Sequence, residues 1–314
     1  MNKTNFYQGS MSVQLFESSV AGVVRVTGED SLPYLQSQLT IDLNKLDPGS
    51  TRLGLRLTLK GKVLLGMQVI RKDEEEFWLV SRTQSPSRII ELLEQNVVAD
   101  EVEFEPIMGE WKETVLYHPD SMEELYQAVK LKALGENQAH SLGTGWAFMD
   151  QLQPSFSLSI IHLASEPVEL EEPFPSSELF ELEKRRLQAG LFKPEVDICG
   201  DEFPQEGGLE TIAVDFDKGC YLGQEVMARI QAMGKVRKKA VAAAGTGTVS
   251  NELPRNLMVA DKKVGHLNSM ISGPDKNSWI GTAVIHENYL TSLQNGEIVI
   301  EGSKLAIKPL RKDV

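Results

Sequence analysis

The chain has 314 residues, 41% of them apolar and 25% charged, with a formal net charge of −13 at pH 7. That length exceeds what a single hydrophobic core serves, so two or three lobes are expected. The acidic balance argues against broad nucleic-acid binding, no apolar run is long enough for a membrane span, and the polar start to Ser12 lacks a signal core, so no export is expected. Cys199 and Cys220 are the two cysteines; they form neither a disulfide framework nor a zinc pattern, which points to a reducing cytoplasm.

Val23–Val26 reads as a strand, and Asp30 or Ser31 as the cap of a helix with Leu32, Leu35 and Leu39 on one face. Leu53, Leu55, Leu57 and Leu59 alternate, Lys60-Gly61-Lys62 turns, and Val63–Ile70 returns, the clearest hairpin in the chain. Phe77–Val80 reads as another strand. Ser85-Pro86 then starts a helix whose apolar face is Ile89, Ile90, Leu93 and Val97. Strands are expected at Val102–Phe104 and Thr114–Tyr117, followed by a helix that a Ser121/Glu124 capping box opens and Gly135 ends. Trp146–Met149 and Phe156–His162 read as strands, and Glu178–Ala189 as a helix stopped by Gly190.

From Ala240 the pattern changes to short β-type runs: Ala240–Ala244, Leu257–Val259, Val264–Ile271, Trp279–His286, Glu297–Ile300 and Leu305–Pro309. No helical pattern appears among them. The fold class read from this is α+β: a mixed region at 1–234, a basic linker at 235–239 and a small C-terminal β-barrel at 240–314. No GxGxxG or GxxxxGK[ST] loop is present, which leaves nucleotide binding with little support.

Chemistry concentrates at Asp217-Lys218-Gly219-Cys220-Tyr221-Leu222-Gly223-Gln224-Glu225. Gly219 and Gly223 permit tight backbone on either side of the thiol. Val226, Ile230 and Met233 follow at helical spacing, so Cys220 lies just before a helix N-terminus that Gly234 later closes. The helix dipole and the nearby Lys218 would lower a thiol pKa, which makes Cys220 and Lys218 the candidate catalytic pair. Two readings stand side by side: an exposed thiolate acting as nucleophile, redox group or metal ligand, and a small buried residue packing a turn. None of His118, His140, His162, His266 and His286 is close to Cys220 in sequence, so no general base is evident; Glu225 has a plain capping role as well as a possible proton-accepting one.

Lys218-Gly219-Cys220-Tyr221-Leu222-Gly223-Gln224-Glu225 resembles the K-x-C-Y-x-G-Q-E signature of the YgfZ family, folate-binding relatives of the glycine-cleavage T-protein (aminomethyltransferase). Tyr34-Leu35-Gln36-Ser37-Gln38-Leu39-Thr40-Ile41-Asp42, the Lys60-Gly61-Lys62 hairpin, Arg186-Leu187-Gln188-Ala189-Gly190 and Phe203-Pro204-Gln205-Glu206 resemble further segments of that family in order. The resemblance implies three lobes in a ring around tetrahydrofolate or a one-carbon derivative. It also implies a role supporting iron–sulfur proteins through transient contact, and through them tRNA modification. Glu206 falls where the T-protein holds the pterin, and a carboxylate suits adjacent N–H donors. Asp42 is the second candidate; Gln188, Tyr221, Gln224 and Arg229 complete the folate-binding set, and no metal site is expected. The bland reading of each carboxylate is a solvated loop acid.

Two departures matter. Aligned on Gly61, the T-protein's pair of aspartates falls on Leu65 and Gly66, which argues against aminomethyl transfer. Gln188 stands where relatives carry glutamate, keeping a carbonyl but losing the charge. A folate-dependent one-carbon transferase is the alternative reading. A tRNA-binding module using Lys235, Arg237, Lys238 and Lys239 is the third, and the net charge weighs against it. The same cluster suits an anionic folate tail or a hydrated linker.

Overall fold

A computed structural model describes residues 12–247, 252–302 and 305–310; the polar start discussed above lies almost wholly outside them. In chain order, β1 (Gln14–Val20) and β2 (Gly22–Thr27) precede α1 (Ser31–Gln38), and β3 (Ser50–Leu57), β4 (Val63–Arg71) and β5 (Glu76–Ser81) lead to α2 (Pro86–Glu94). Next come β6 (Glu103–Pro106), β7 (Trp111–Tyr117), α3 (Met122–Ala128), β8 (Ala139–Leu142), β9 (Gly145–Phe148) and β10 (Ser157–Leu163). The helices α4 (Leu179–Gln188), α5 (Glu210–Ala213) and α6 (Gln224–Met233) follow. The chain then forms β11 (Lys238–Thr246), β12 (Arg255–Val259), β13 (Lys262–Ser272), β14 (Ser278–His286), α7 (Leu290–Gln294), β15 (Val299–Ile300) and β16 (Ile307–Pro309).

These strands pair antiparallel into three sheets, ordered β3-β4-β5-β2-β6, β1-β7-β10-β9-β8 and β15-β12-β13-β14-β11-β16. The class is α+β. The β3–β4 hairpin explains its own leucine content, because both of its faces are covered. Leu65, Met67 and Val69 pack on Tyr34, Leu35 and Leu39 of the α1 segment and Leu93 of α2. Leu53, Leu55 and Leu57 pack on the other side against Leu187, Phe192, Leu209 and Tyr221. That second cluster also takes in Ala240, Ile280 and Val284, so the third sheet shares a core with the first. The third sheet curls into a half-barrel: a Val299–Ala306 bridge and the Ile307 N–H donated to Ile298 O draw its two edges together.

The structure departs from the periodicity at a few places. Asp30 flanks α1, but its carboxylate accepts from the Glu101 N–H instead of capping the helix. Ser121 does cap α3 through the Glu124 N–H, yet the helix stops at Ala128 and not at Gly135. Lys130 turns left-handed at φ 55° and the Leu131 N–H folds back to Tyr126 O, which ends the helical ladder. β1, β8 and the short α7 have no clear pattern of their own in the sequence. β11 begins at Lys238, so the last two residues of 235–239 are strand.

Candidate functional site

Two stretches distant in sequence are laced together around Cys220. The Lys218 ammonium donates to Gln36 O (2.7 Å), Leu39 O (2.6 Å) and Ile41 O (2.7 Å), which spends all three of its protons on carbonyls around the end of α1. The Leu222 N–H bonds Ser37 O and the Asp215 N–H bonds Thr40 O. Asp215 Oδ2 accepts from the Asp42 N–H and from Arg52 Nη1 (2.7 Å). Lys218 is therefore a clamp that docks the cysteine loop on the 36–42 segment, and its ammonium points at that segment's carbonyls. Burial pushes it down to about 8, against the opposing pull of Asp42 and Asp215.

Cys220 is exposed and free, which disposes of the packed-turn reading for this residue. Gly223 follows at φ 84° and leads into α6; a Cβ there would stand 2.6 Å from Thr58 O, so glycine is required where the loop passes the β3–β4 turn. Gln224 Nε2 closes the loop on Lys218 O. The next side chain, Tyr221, is buried. Its ring lies 5.2 Å from Lys218 Nζ, it is 7% exposed, and among the described residues its hydroxyl has no hydrogen-bond partner. Burial, helped by Asp215, pushes that phenol up to about 12. Cys199 is the opposite kind of cysteine. It is half-buried, its Sγ donates to Glu195 O and Val196 O, and burial with the surrounding acids pushes it up to about 12.

The acidic candidates differ in how far they are committed. Asp42 caps the turn at Leu43–Lys45, accepting from Gln36 Nε2 (2.9 Å) and the Asn44 N–H and pairing with Lys45 at 3.2 Å. Burial works against its charge, but the bonds from Gln36, Lys45 and Asn44 win and hold it below the usual aspartate value. Glu206 is 3% exposed; Oε2 accepts from the Phe203 N–H (2.9 Å) and lies 3.9 Å from Lys238 Nζ. Burial raises its pKa despite Phe203, Lys238 and Lys62. Beside it, Glu202 takes His266 Nε2 at 3.0 Å and Lys238 at 3.6 Å. Lys62 sits over the Phe203 ring at 3.2 Å from its centre and donates to Asp201 O.

The remaining candidates are spread out. Gln188 is half-buried at the last turn of α4, before Gly190 at φ 75°. Arg229 lies on the exposed side of α6. Within the basic cluster, Lys238 turns inward to Glu202 and Glu206 while Lys235, Arg237 and Lys239 face solvent. Sequence reasoning did not single out Lys62, Glu202 and His266, whose meeting depends on the third sheet packing against the hairpin. Gln205 entered that reasoning only within the Phe203-Pro204-Gln205-Glu206 segment, and Glu210 not at all.

The T-protein's aspartate positions are filled differently. Leu65 is buried in the core, and a Cβ on Gly66 would meet Pro194 Cγ at 2.1 Å. The Gly66 N–H instead donates to Glu195 Oε1 at 2.7 Å. No acid projects from this stretch of β4.

Residues 6–144 match the family model of the GCVT N-terminal domain. The chain is 26% identical to the tRNA-modifying protein YgfZ of Colwellia psychrerythraea, over 71% of this chain and 69% of that one. The chain is a relative of the GcvT and YgfZ proteins. The aminomethyltransferase of Thermoanaerobacter sp. X514 is 24% identical over 93% of this chain and 83% of its own. The crystal structure of glycine cleavage system aminomethyltransferase T from Bartonella henselae has the same fold, with a TM-score of 0.71 at 16% identity across 95% of this chain and 85% of that one. The GcvT-like fold thus holds along almost the whole chain, and no helix among the described residues is long and apolar enough to cross a membrane.

Proposed function

We propose that this GcvT-like chain binds tetrahydrofolate and serves as an accessory protein in tRNA modification, supporting iron–sulfur proteins in a reducing cytoplasm. Cys220 is its working thiol. The observation that carries this reading is the position of Cys220: an exposed sulfur on a loop clamped by Lys218 to the Asp42 segment, with the buried Tyr221 next in the chain. A buried phenol with no partner among the described residues suits a polar heterocycle set in an apolar wall, since buried polar groups are ordinarily hydrogen-bonded. Glu206 and Tyr221 would hold the folate ring; Asp42 and Lys218 keep the loop in place around it. A bound folate would supply one-carbon or redox chemistry, while the protein's own part is to orient it and to present Cys220. One thiol cannot supply four cluster ligands, so any cluster contact through Cys220 is shared with the partner.

A one-carbon transferase reading has less support. Its relatives' aspartates correspond to a buried leucine and to a glycine pressed against Pro194. Calorimetry with tetrahydrofolate on the full chain tests the proposal. Saturable binding by the wild type and by Cys220→Ala is expected, with the variant failing to rescue a strain that lacks the protein. A folded wild type that binds no tetrahydrofolate would overturn the folate reading, and full rescue by Cys220→Ala would make the thiol structural.

A further inference from the structure

We propose that Gln205 and Glu210, with the Tyr221 hydroxyl, are the residues that read the edge of the bound ligand, and that this ligand is a flat heterocycle with a lactam edge. The proposal deepens the folate reading and rests on it for its first probe.

Gln205 has both amide atoms shut off from water and without a hydrogen-bond partner among the described residues. The same holds for Glu210 Oε2 and for the Tyr221 hydroxyl. Buried polar atoms are seldom left in this condition, and those that are left so cluster where something else must complete them. Gln205 and Glu210 also lie on neighbouring short helices of one segment. Gln205 lies in the one-turn helix Pro204–Glu206, and the Leu209 N–H returns to Pro204 O at 3.0 Å, which sets Glu210 at the start of α5 one turn away. Leu209, immediately before Glu210, is buried in the same apolar cluster as Tyr221. Gln205 and Glu210 thus flank a residue of the apolar cluster that also takes in Tyr221.

Glu206, between them, is already committed to the Phe203 N–H and lies close to Lys238. Its Oε2 is engaged there, and its neighbours Gln205 and Glu210 add open hydrogen-bonding atoms beside it. A primary amide presents one donor and one acceptor side by side, the complement of the N–H and C=O of a cyclic lactam. Burial raises the Glu210 carboxyl above the usual value, and its remaining oxygen suits an adjacent amino group. The phenol of Tyr221 stays protonated through neutral pH and can donate to a ring nitrogen. Apolar surface around a few convergent polar atoms is the usual construction of a small-molecule site.

The test uses the full-length protein and compares wild type with Gln205→Leu and Glu210→Gln, reading both tetrahydrofolate affinity by calorimetry and the ligand-free melting temperature. Gln205→Leu keeps the volume and removes two unsatisfied atoms. Its ligand-free melting temperature should hold or rise while affinity falls by roughly tenfold or more. Glu210→Gln should weaken affinity in the same direction; it decides the matter should Gln205→Leu not fold. A plainly structural role would lower the melting temperature and leave affinity alone. Wild-type affinity in both variants would overturn the inference and leave the folate reading intact. If wild type binds no tetrahydrofolate, the folate reading falls and thermal shift with pterin, guanosine and riboflavin decides the inference. A shift lost in Gln205→Leu and Glu210→Gln supports it; no shift, or one the variants retain, overturns it.

Discussion

Glu183 and Arg186 show what a buried charge does in this chain when it is fully partnered. Arg186 donates to Glu183 Oε2 and to Asp197 Oδ2, and Lys193 Nζ reaches Glu183 Oε1 at 2.5 Å. Burial alone would raise the Glu183 carboxyl, but Lys193 and Arg186 outweigh it and hold it at about 2, against 4.5 for an ordinary glutamate. A carboxyl held lower in the folded state adds stability that is complete above about pH 4.5 and is lost as pH falls toward 2, a contribution on the order of 3 kcal/mol. Glu183→Gln should be less stable than wild type at neutral pH, and acid titration of unfolding should show the gap closing between pH 4.5 and 2. A gap that persists to pH 2 would mean that the network does not hold the charge. The two cysteines divide in the same physical way: Cys199 is bonded to carbonyls and hard to ionise, whereas Cys220 stands open.

Among the elements, the β3–β4 hairpin decides how far the T-protein comparison reaches chemically. Gly66 lies against Pro194, whose ring cannot swing aside as a flexible side chain can. Gly66→Asp should therefore destabilise the protein by about 1–3 kcal/mol in urea unfolding and confer no aminomethyl transfer. A stable variant with transferase activity would show that the missing acid alone separates the two activities. The hairpin was legible in the sequence because Leu53, Leu55 and Leu57 repeat at the strand period and Gly61 marks the turn. α2 was legible from Ser85-Pro86, and Ser85 does accept from the Arg88 N–H. β1 was not legible, because Gln14–Val20 lacks clean alternation and is fixed by pairing with β7, nearly a hundred residues away. The end of α3 was missed because Gly135 offered a stop while the left-handed turn at Lys130 carries no glycine to announce it. At the site, the cysteine loop could be found from its motif. The unpartnered atoms of Gln205 and Glu210 could not, since an atom without a partner is a property of packing and no residue type signals it.

At the scale of the molecule, the third sheet is joined to the rest by both apolar and charged contacts. Asp197, fully buried, takes Arg186 from α4 together with the hydroxyls of Ser269 on β13 and Thr282 on β14. His266 on β13 and Lys238 on β11 meet Glu202 beside Glu206. The acidic segment 202–210 is thus held between the hairpin and the curled sheet, while the cysteine loop is held against α1. On the folate reading, these two supports frame one site, with Cys220 at its mouth and a folate inside. The most direct test of this claim is the rate of Cys220 alkylation, read by mass spectrometry, with and without saturating tetrahydrofolate. Cys220 should label quickly and Cys199 slowly in the free protein, and the ligand should slow Cys220 several-fold. If tetrahydrofolate binds by calorimetry and the Cys220 rate stays the same, the thiol and the folate do not share a site and the claim is contradicted.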